Sequence, residues 1–224
     1  MRSRRLKIAI LAAWISLTAS WHFVTGAGAA GAAAQRPDSL QALDTQRPIP
    51  YFIADGAGIP GYRPADQDLA RWALQAWQRA VPAKLHFEAA PESTALIRIY
   101  WAGPESGQYG ETQPLRVGNR IGAAVFIRPE MQSLGPAIAR SASADDLLRD
   151  SIVYLTCLHE LGHALGLEHT RNFADIMFFF GYGGDVVEFF GRYRTQVRTR
   201  SDIATTSGLS ASDLSRIRTI YDGR

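Results

Sequence analysis

The chain has 224 residues, 46% apolar and 20% charged, proportions of one ordinary globular domain with terminal additions rather than of a disordered, collagen-like or polytopic membrane chain. Its single cysteine, Cys157, excludes an intrachain disulfide framework and a multi-cysteine metal site, so a metal would need ligands from the five histidines and the carboxylates. The formal charge of +3 shrinks once residues 1–34 are set aside, because they hold Arg2, Arg4, Arg5 and Lys7 and no acid; 20 basic and 21 acidic side chains remain, too even a balance for a nucleic-acid surface.

In chain order, the basic start is followed by an uncharged stretch from Ile8 to Gly31, apolar mainly through Val24, and by the small-residue run Ala27 to Ala34. That pattern predicts an export signal over residues 1–34, cleaved after Ala29 or Ala34. The alternative is a retained signal anchor, since the 17 residues from Ile8 to Val24 sit at the lower limit of the roughly 17 to 25 needed to span a bilayer. Either form leaves the remainder outside the cytoplasm, secreted or periplasmic. Residues 35–48 are polar and proline-containing without a sustained period, and read as a linker or short pro-segment.

Ile49 to Ala54 predicts a first strand. Leu69, Trp72, Ala76 and Ala80 follow at helical spacing within Ala65 to Val81, stopped by Pro82. Leu85 to Ala89 and Ala95 to Trp101 read as short strands, and Ile121 to Ile127 as another. The glycine- and proline-rich connection from Ala102 to Asn119 leaves room for an edge strand. Pro129 to Ala144 reads as a loop. A long helix is predicted from about Asp145 to Leu165, ending at Gly166. This order belongs to an α+β or α/β sandwich.

The long helix carries His159-Glu160-Leu161-Gly162-His163, followed by Ala164-Leu165-Gly166-Leu167-Glu168-His169. Residues four apart on a helix differ by about 40° in azimuth, so His159 and His163 project side by side. Gly166 can take the positive φ that ends a helix, which lets the chain return His169 from another direction. Three imidazoles satisfy three corners of a tetrahedral zinc ion and leave the fourth to water, as catalytic sites do. Glu160 adjoins a ligand in sequence and can reach the open position as a base for that water; the chemistry implied is amide hydrolysis. The five fixed positions coincide by chance on the order of once in 10⁵ chains of this length.

With these residues the chain resembles the matrixins among the metzincin metallopeptidases. HELGHALGLEHT at His159 to Thr170 is very similar to the matrixin form, with Thr170 where a serine usually stands. Met177, in Ala174-Asp175-Ile176-Met177, sits where the family has its Met-turn beneath the metal. Leu209 through Ile217, Ile220 and Tyr221 resembles the closing helix, with Ser210 as its N-cap. Trp77, Val81, Pro82, Leu85 and Phe87 resemble the passage from first helix to second strand. The resemblance spans about Ile49 to Tyr221 and makes residues 49–224 a matrixin-like catalytic domain. It implies a metzincin fold: a twisted, mostly parallel five-stranded sheet with an antiparallel edge strand, placed at Gly107 to Val117, a long zinc-binding helix, a Met-turn and a C-terminal helix. It also implies one catalytic Zn²⁺ and endopeptidase action on peptide or protein substrates that add as a strand to the sheet edge.

Departures from the family pattern matter as well. The only other histidines are His22 and His86, so a second zinc site is not expected, and His86 alternates with Leu85 and Phe87 as a solvent-side strand residue. Phe179 replaces the family's proline after the methionine; Tyr182 is then either a wall of the specificity pocket or a core aromatic. Residues 183–206, with Arg192, Arg194, Arg198 and Arg200, are longer than the usual connection and read either as a lid or substrate-binding arm or, preferably, as a solvated loop. Cys157, two residues before His159, points away from the ion as a small buried hydrophobe. Asp38 or Asp44 could cap zinc in a latent form. Calcium finds no EF-hand-like spacing. No nucleic-acid partner, no membrane span after signal cleavage and a monomeric state complete the expectations. The rival readings are a zinc-containing peptide-binding module without turnover, which needs no base at Glu160, and a polyanion binder acting through the arginine loop.

Overall fold

The computed structural model describes residues 40–222. The signal or anchor at 1–34, His22, Asp38 and the start of the 35–48 segment lie outside the described residues. Strands β1 (Ile49–Ile53), β2 (Phe87–Ala89), β3 (Ile97–Trp101), β4 (Gly110–Val117) and β5 (Arg120–Ile127) form one sheet in the order β2-β1-β3-β5-β4. Neighbours run parallel except β4, which is antiparallel to β5 and forms an edge. This is the α+β architecture expected, and the edge strand falls within residues 107–117.

The strands form where apolar and polar residues alternate. On β3, Ile97, Ile99 and Trp101 are buried while Arg98 and Tyr100 are not, so one face meets the helices. Helix α1 (Asp66–Ala80) lays Leu69, Ala73, Ala76, Trp77 and Ala80 into the core. The Trp77 indole donates to the carbonyl of Leu158 at 2.9 Å, which fixes α1 against the long helix α3 (Asp146–Ala164). Near their N-termini the same two helices are joined by a buried ion pair between Asp66 and Arg149, and Arg149 also donates to the carbonyl of Gly61 at 2.6 Å.

Helix α3 is buried almost all round, as a helix through a core must be; buried residues on it include Ile152 to Leu158 without interruption, together with the polar Arg149, Asp150, Ser151 and Glu160. Asp145 caps it, its Oδ1 accepting from the N–H groups of Leu147 and Leu148 at 3.0 Å each. At the other end Gly166 takes φ +92°, and the N–H groups of Gly166 and Leu167 return to the carbonyls of His163 and Gly162 at 2.9 Å each, a terminator only glycine allows without strain. A Cβ at Gly166 would also lie 2.9 Å from Ala42 N, because the segment before β1 packs here. Leu43 of that segment is buried, and its N–H donates to the Tyr221 hydroxyl at 3.1 Å.

Two expectations need correction. Residues 129–144 are not all loop: Pro136–Ala144 forms helix α2, opened by proline in its first turn, with Ile138, Ala139 and Ala142 turned inward. Residues 183–206 are neither a solvated loop nor a free lid. They contain helix α4 (Val186–Arg194), capped by Asp185 and burying Phe189, Phe190 and Tyr193, and a short 3₁₀ turn, Arg200–Ala204, burying Ile203. Three of the four arginines are held: Arg192 donates to the carbonyl of Phe173 at 2.6 Å, Arg194 to Asp145 at 2.8 Å and Arg200 to Asp150 at 3.0 Å, while Arg198 is exposed. Helix α5 (Ala211–Asp222) closes the fold, burying Asp213, Ile217 and Tyr221. Among the described residues no helix is long and apolar enough to cross a membrane.

Candidate metal centre

The last turns of α3 and the loop after Gly166 bring His159, His163 and His169 together. One ligand nitrogen from each lies within 4.8 Å of the others, the arrangement of a donor set for a metal ion. The Nε2 of His169 is 3.3 Å from Nε2 of His159 and 3.1 Å from Nε2 of His163. Tetrahedral ligands at about 2.0–2.1 Å from zinc stand roughly 3.3 Å apart, so the cluster fits that ion.

Backbone acceptors fix the tautomers. His159 Nδ1 lies 2.7 Å from the carbonyl of Ile176, and His163 Nδ1 lies 2.8 Å from the carbonyl of Leu167. A carbonyl only accepts, so both Nδ1 atoms carry the hydrogen and both Nε2 lone pairs face inward. Burial, reinforced at two of the rings by their neighbours, keeps all three neutral. It lowers the pKa of His159; desolvation and then the His159 charge lower that of His163; desolvation and both other rings take His169 down to about 4. Neutral inward-facing nitrogens are what a cation requires of its ligands.

Glu160 stands on the helix between the first two rings, 6% exposed. Burial pushes its carboxyl up to about 7, against the lowering influence of His163 and of the Thr112 hydroxyl. A cation beside it would draw that value down again.

Met177 is fully buried, and a Cβ at Gly162 would collide with its sulfur, so a glycine in the helix lets the methionine turn pack beneath the rings. That turn is anchored from both sides. The N–H of Thr170 donates to the carbonyl of Met177 at 2.8 Å, and the N–H of Ile176 donates to Asp213 of α5 at 2.8 Å. The structure therefore places Met177 against the helix that carries His159 and His163. Phe179, in the position of the missing proline, stacks on His169 with ring centroids 4.7 Å apart. Tyr182 meets Phe179 edge-on at 5.3 Å, and the Arg171 guanidinium lies 4.3 Å over the Tyr182 ring. At 49% exposure Tyr182 is not a core aromatic; it is the outer rung of a ladder that ends at the His169 imidazole.

Other assignments are placed as follows. Cys157 is buried, and burial raises its thiol pKa well above the usual range, as expected of an inert thiol. His86 is exposed. Asp44 is exposed and accepts from the N–H of Gln46 at 2.9 Å. Sequence reasoning missed Thr112, Gly110, Phe179 as a stacking partner and Asp213. Ser210 immediately precedes α5 and is its N-cap as expected: its Oγ accepts from the N–H of Asp213 at 3.0 Å while its own N–H donates to the Asp213 carboxylate at 2.9 Å, and the hydroxyls of Ser210 and of Ser212, in the first turn, donate to Asp175 at 2.8 and 3.0 Å.

Against known proteins, the family model described as Matrixin matches residues 61–185, more than half of the chain. No curated protein matches. Among solved structures, the chain is similar to one described as the GM1 bound form of the ECX AB5 holotoxin, at 16% identity over 77% of this chain and 79% of that one, with a TM-score of 0.48.

Proposed function

The chain belongs to the matrixin family of metallopeptidases, and on that footing we propose that it is a secreted zinc-dependent endopeptidase, with His159, His163 and His169 holding the ion and Glu160 as general base. The observation that carries the reading is the convergence of three neutral imidazole nitrogens beside a buried carboxyl. Zinc held there supplies Lewis acidity, polarising the scissile carbonyl and lowering the pKa of water toward about 7.

The chain's own groups do the rest. Glu160, buried between the two helix-borne histidines, takes the proton of the attacking water and hands it to the departing amine. Strand β4 pairs with β5 on one side only, so its other edge offers main-chain donors and acceptors to an extended peptide. Substrate is accordingly a peptide or protein segment in extended form, with Phe179 and Tyr182 walling the cleft beside His169. The family is generally extracellular, in keeping with the export signal expected over residues 1–34.

The test is to purify the protein, assay bound zinc and cleavage of a broad quenched-peptide library, and repeat with Glu160→Ala. The variant keeps its zinc and loses cleavage by roughly 10²–10⁴-fold, the contribution of a positioned general base. Loss of zinc together with cleavage assigns Glu160 a different role. Zinc and peptide binding without turnover in the wild-type protein makes the chain a binding module instead.

A further inference from the structure

Two positions of the edge strand close on Glu160. The Thr112 hydroxyl lies 2.8 Å from Glu160 Oε2 and 2.9 Å from the main-chain oxygen of the same residue. Two residues earlier, Gly110 has no Cβ; one built there would sit 2.8 Å from Glu160 Cγ and 2.9 Å from Cδ, and closer still to a carboxylate oxygen. Residues two apart on a strand share a face, and here that face is turned to α3. Glycine supplies the space that the carboxyl fills, and threonine supplies a donor at the end of it.

We propose that Thr112 is a positioning residue for the general base, its hydroxyl holding the Glu160 carboxyl in the pocket left open by Gly110. The proposal rests on the reading of Glu160 as that base. A glutamate side chain has several rotamers open to it, and a base displaced by about 1 Å loses on the order of 10²-fold in rate. Thr112 suits this role because its β-branched side chain is stiff at χ1 and its backbone is pinned by pairing opposite Val125. The single hydroxyl proton has two acceptors, one on the carboxyl and one on the helix backbone, so it ties the side chain to its own turn of α3. Because an extended peptide would dock on the same strand, β4 sets the position of the base and of the scissile bond in one frame.

Full-chain protein is prepared as wild type, Thr112→Val, Thr112→Ser and Gly110→Ala, and each is assayed for bound zinc, kcat and KM, and crystallised without metal. Thr112→Val keeps zinc and shows KM within about twofold of wild type, while kcat falls on the order of ten- to hundredfold, as for loss of a hydrogen bond to a charged group. Thr112→Ser restores kcat, and Gly110→Ala lowers it with zinc retained. In the crystals, Glu160 Oε2 stays in hydrogen-bond reach of the hydroxyl in wild type and Thr112→Ser and leaves its place in Thr112→Val. A carboxyl unmoved in Thr112→Val, wild-type kcat in that variant, or equal losses in the valine and serine variants overturns the proposal. If wild type itself does not cleave, the peptidase reading fails, and the crystals alone decide whether Thr112 holds the carboxyl.

Discussion

Tyr221→Phe removes one oxygen from the core and disconnects two parts of the chain from each other. The hydroxyl is fully buried; it donates to the carbonyl of Leu165 at 3.1 Å and accepts from the N–H of Leu43 at 3.1 Å. Phenylalanine keeps the ring's packing, so the cost is not a cavity. It is the loss of two hydrogen bonds, each contributing about 0.5–1.5 kcal/mol net, with the added penalty of leaving a buried donor and a buried acceptor unpaired. Together these amount to about 2–4 kcal/mol. Urea unfolding of the wild-type and variant proteins, followed by tryptophan fluorescence, measures it. The expected outcome is an unchanged slope with the midpoint lowered by about 1–2 M, for slopes of about 2 kcal/mol per M. Leu165 ends the helix that carries His159 and His163, so zinc affinity should weaken in parallel. A loss of stability below about 0.5 kcal/mol would mean that residues 40–48 are not part of the folded body and that Leu165 finds another donor.

Three further outcomes follow from other parts of the fold. Burial raises the pKa of Asp145, but hydrogen bonds from Arg194, Leu148 and Leu147 outweigh it and hold the carboxyl below its usual value. Its stabilising contribution is therefore present above the unfolded pKa of about 3.9 and is lost as pH falls through the folded value; Asp145→Asn should flatten acid unfolding in that window, and an unchanged pH profile would contradict the cap. Cys157 should resist iodoacetamide in the native protein and react only on unfolding, because its thiol is buried and its pKa raised; rapid native labelling would contradict the packing of α3. Gly162→Ala would press a methyl toward the Met177 sulfur and to 3.2 Å from the Trp77 ring, costing about 1–3 kcal/mol by overpacking. Thermal unfolding and zinc competition should show lower stability and weaker metal binding together.

The residues that sequence reasoning placed best are those whose positions follow from local rules. The i, i+4 spacing put His159 and His163 on one face, and Gly166 marked the turn that brings back His169. Thr112 obeys no local rule. What it faces is decided by the register of β4 on β5 and by the packing of α3 across that edge, 48 residues away in the chain. The polar run Gly110 to Gln113 offers no hydrophobic phase from which to read it. Helix α2 was missed because alanine and serine fill it and Ile138 is its one large apolar side chain. Helix α4 did have readable signals, an Asp185 cap and Phe189, Phe190 and Tyr193 on one side. The arginines suggested solvent instead; in the structure Arg192, Arg194 and Arg200 find carbonyl or carboxylate partners on neighbouring segments.

Each of the three rings is held by a different part of the molecule, which is why the motif alone would not make the site. Asp213 on α5 holds the N–H of Ile176, and the carbonyl of Ile176 orients His159. The glycine turn at the end of α3 carries the carbonyl of Leu167, which orients His163. His169 is instead set by stacking on Phe179, in a segment bridged back to Thr170. The first two anchors are hydrogen bonds that choose a tautomer, and the third is a contact that constrains only the ring plane. His169 is also the exposed member of the three. The arrangement gives two nitrogens fixed by hydrogen bonds and a third, on the exposed ring, whose plane alone is constrained.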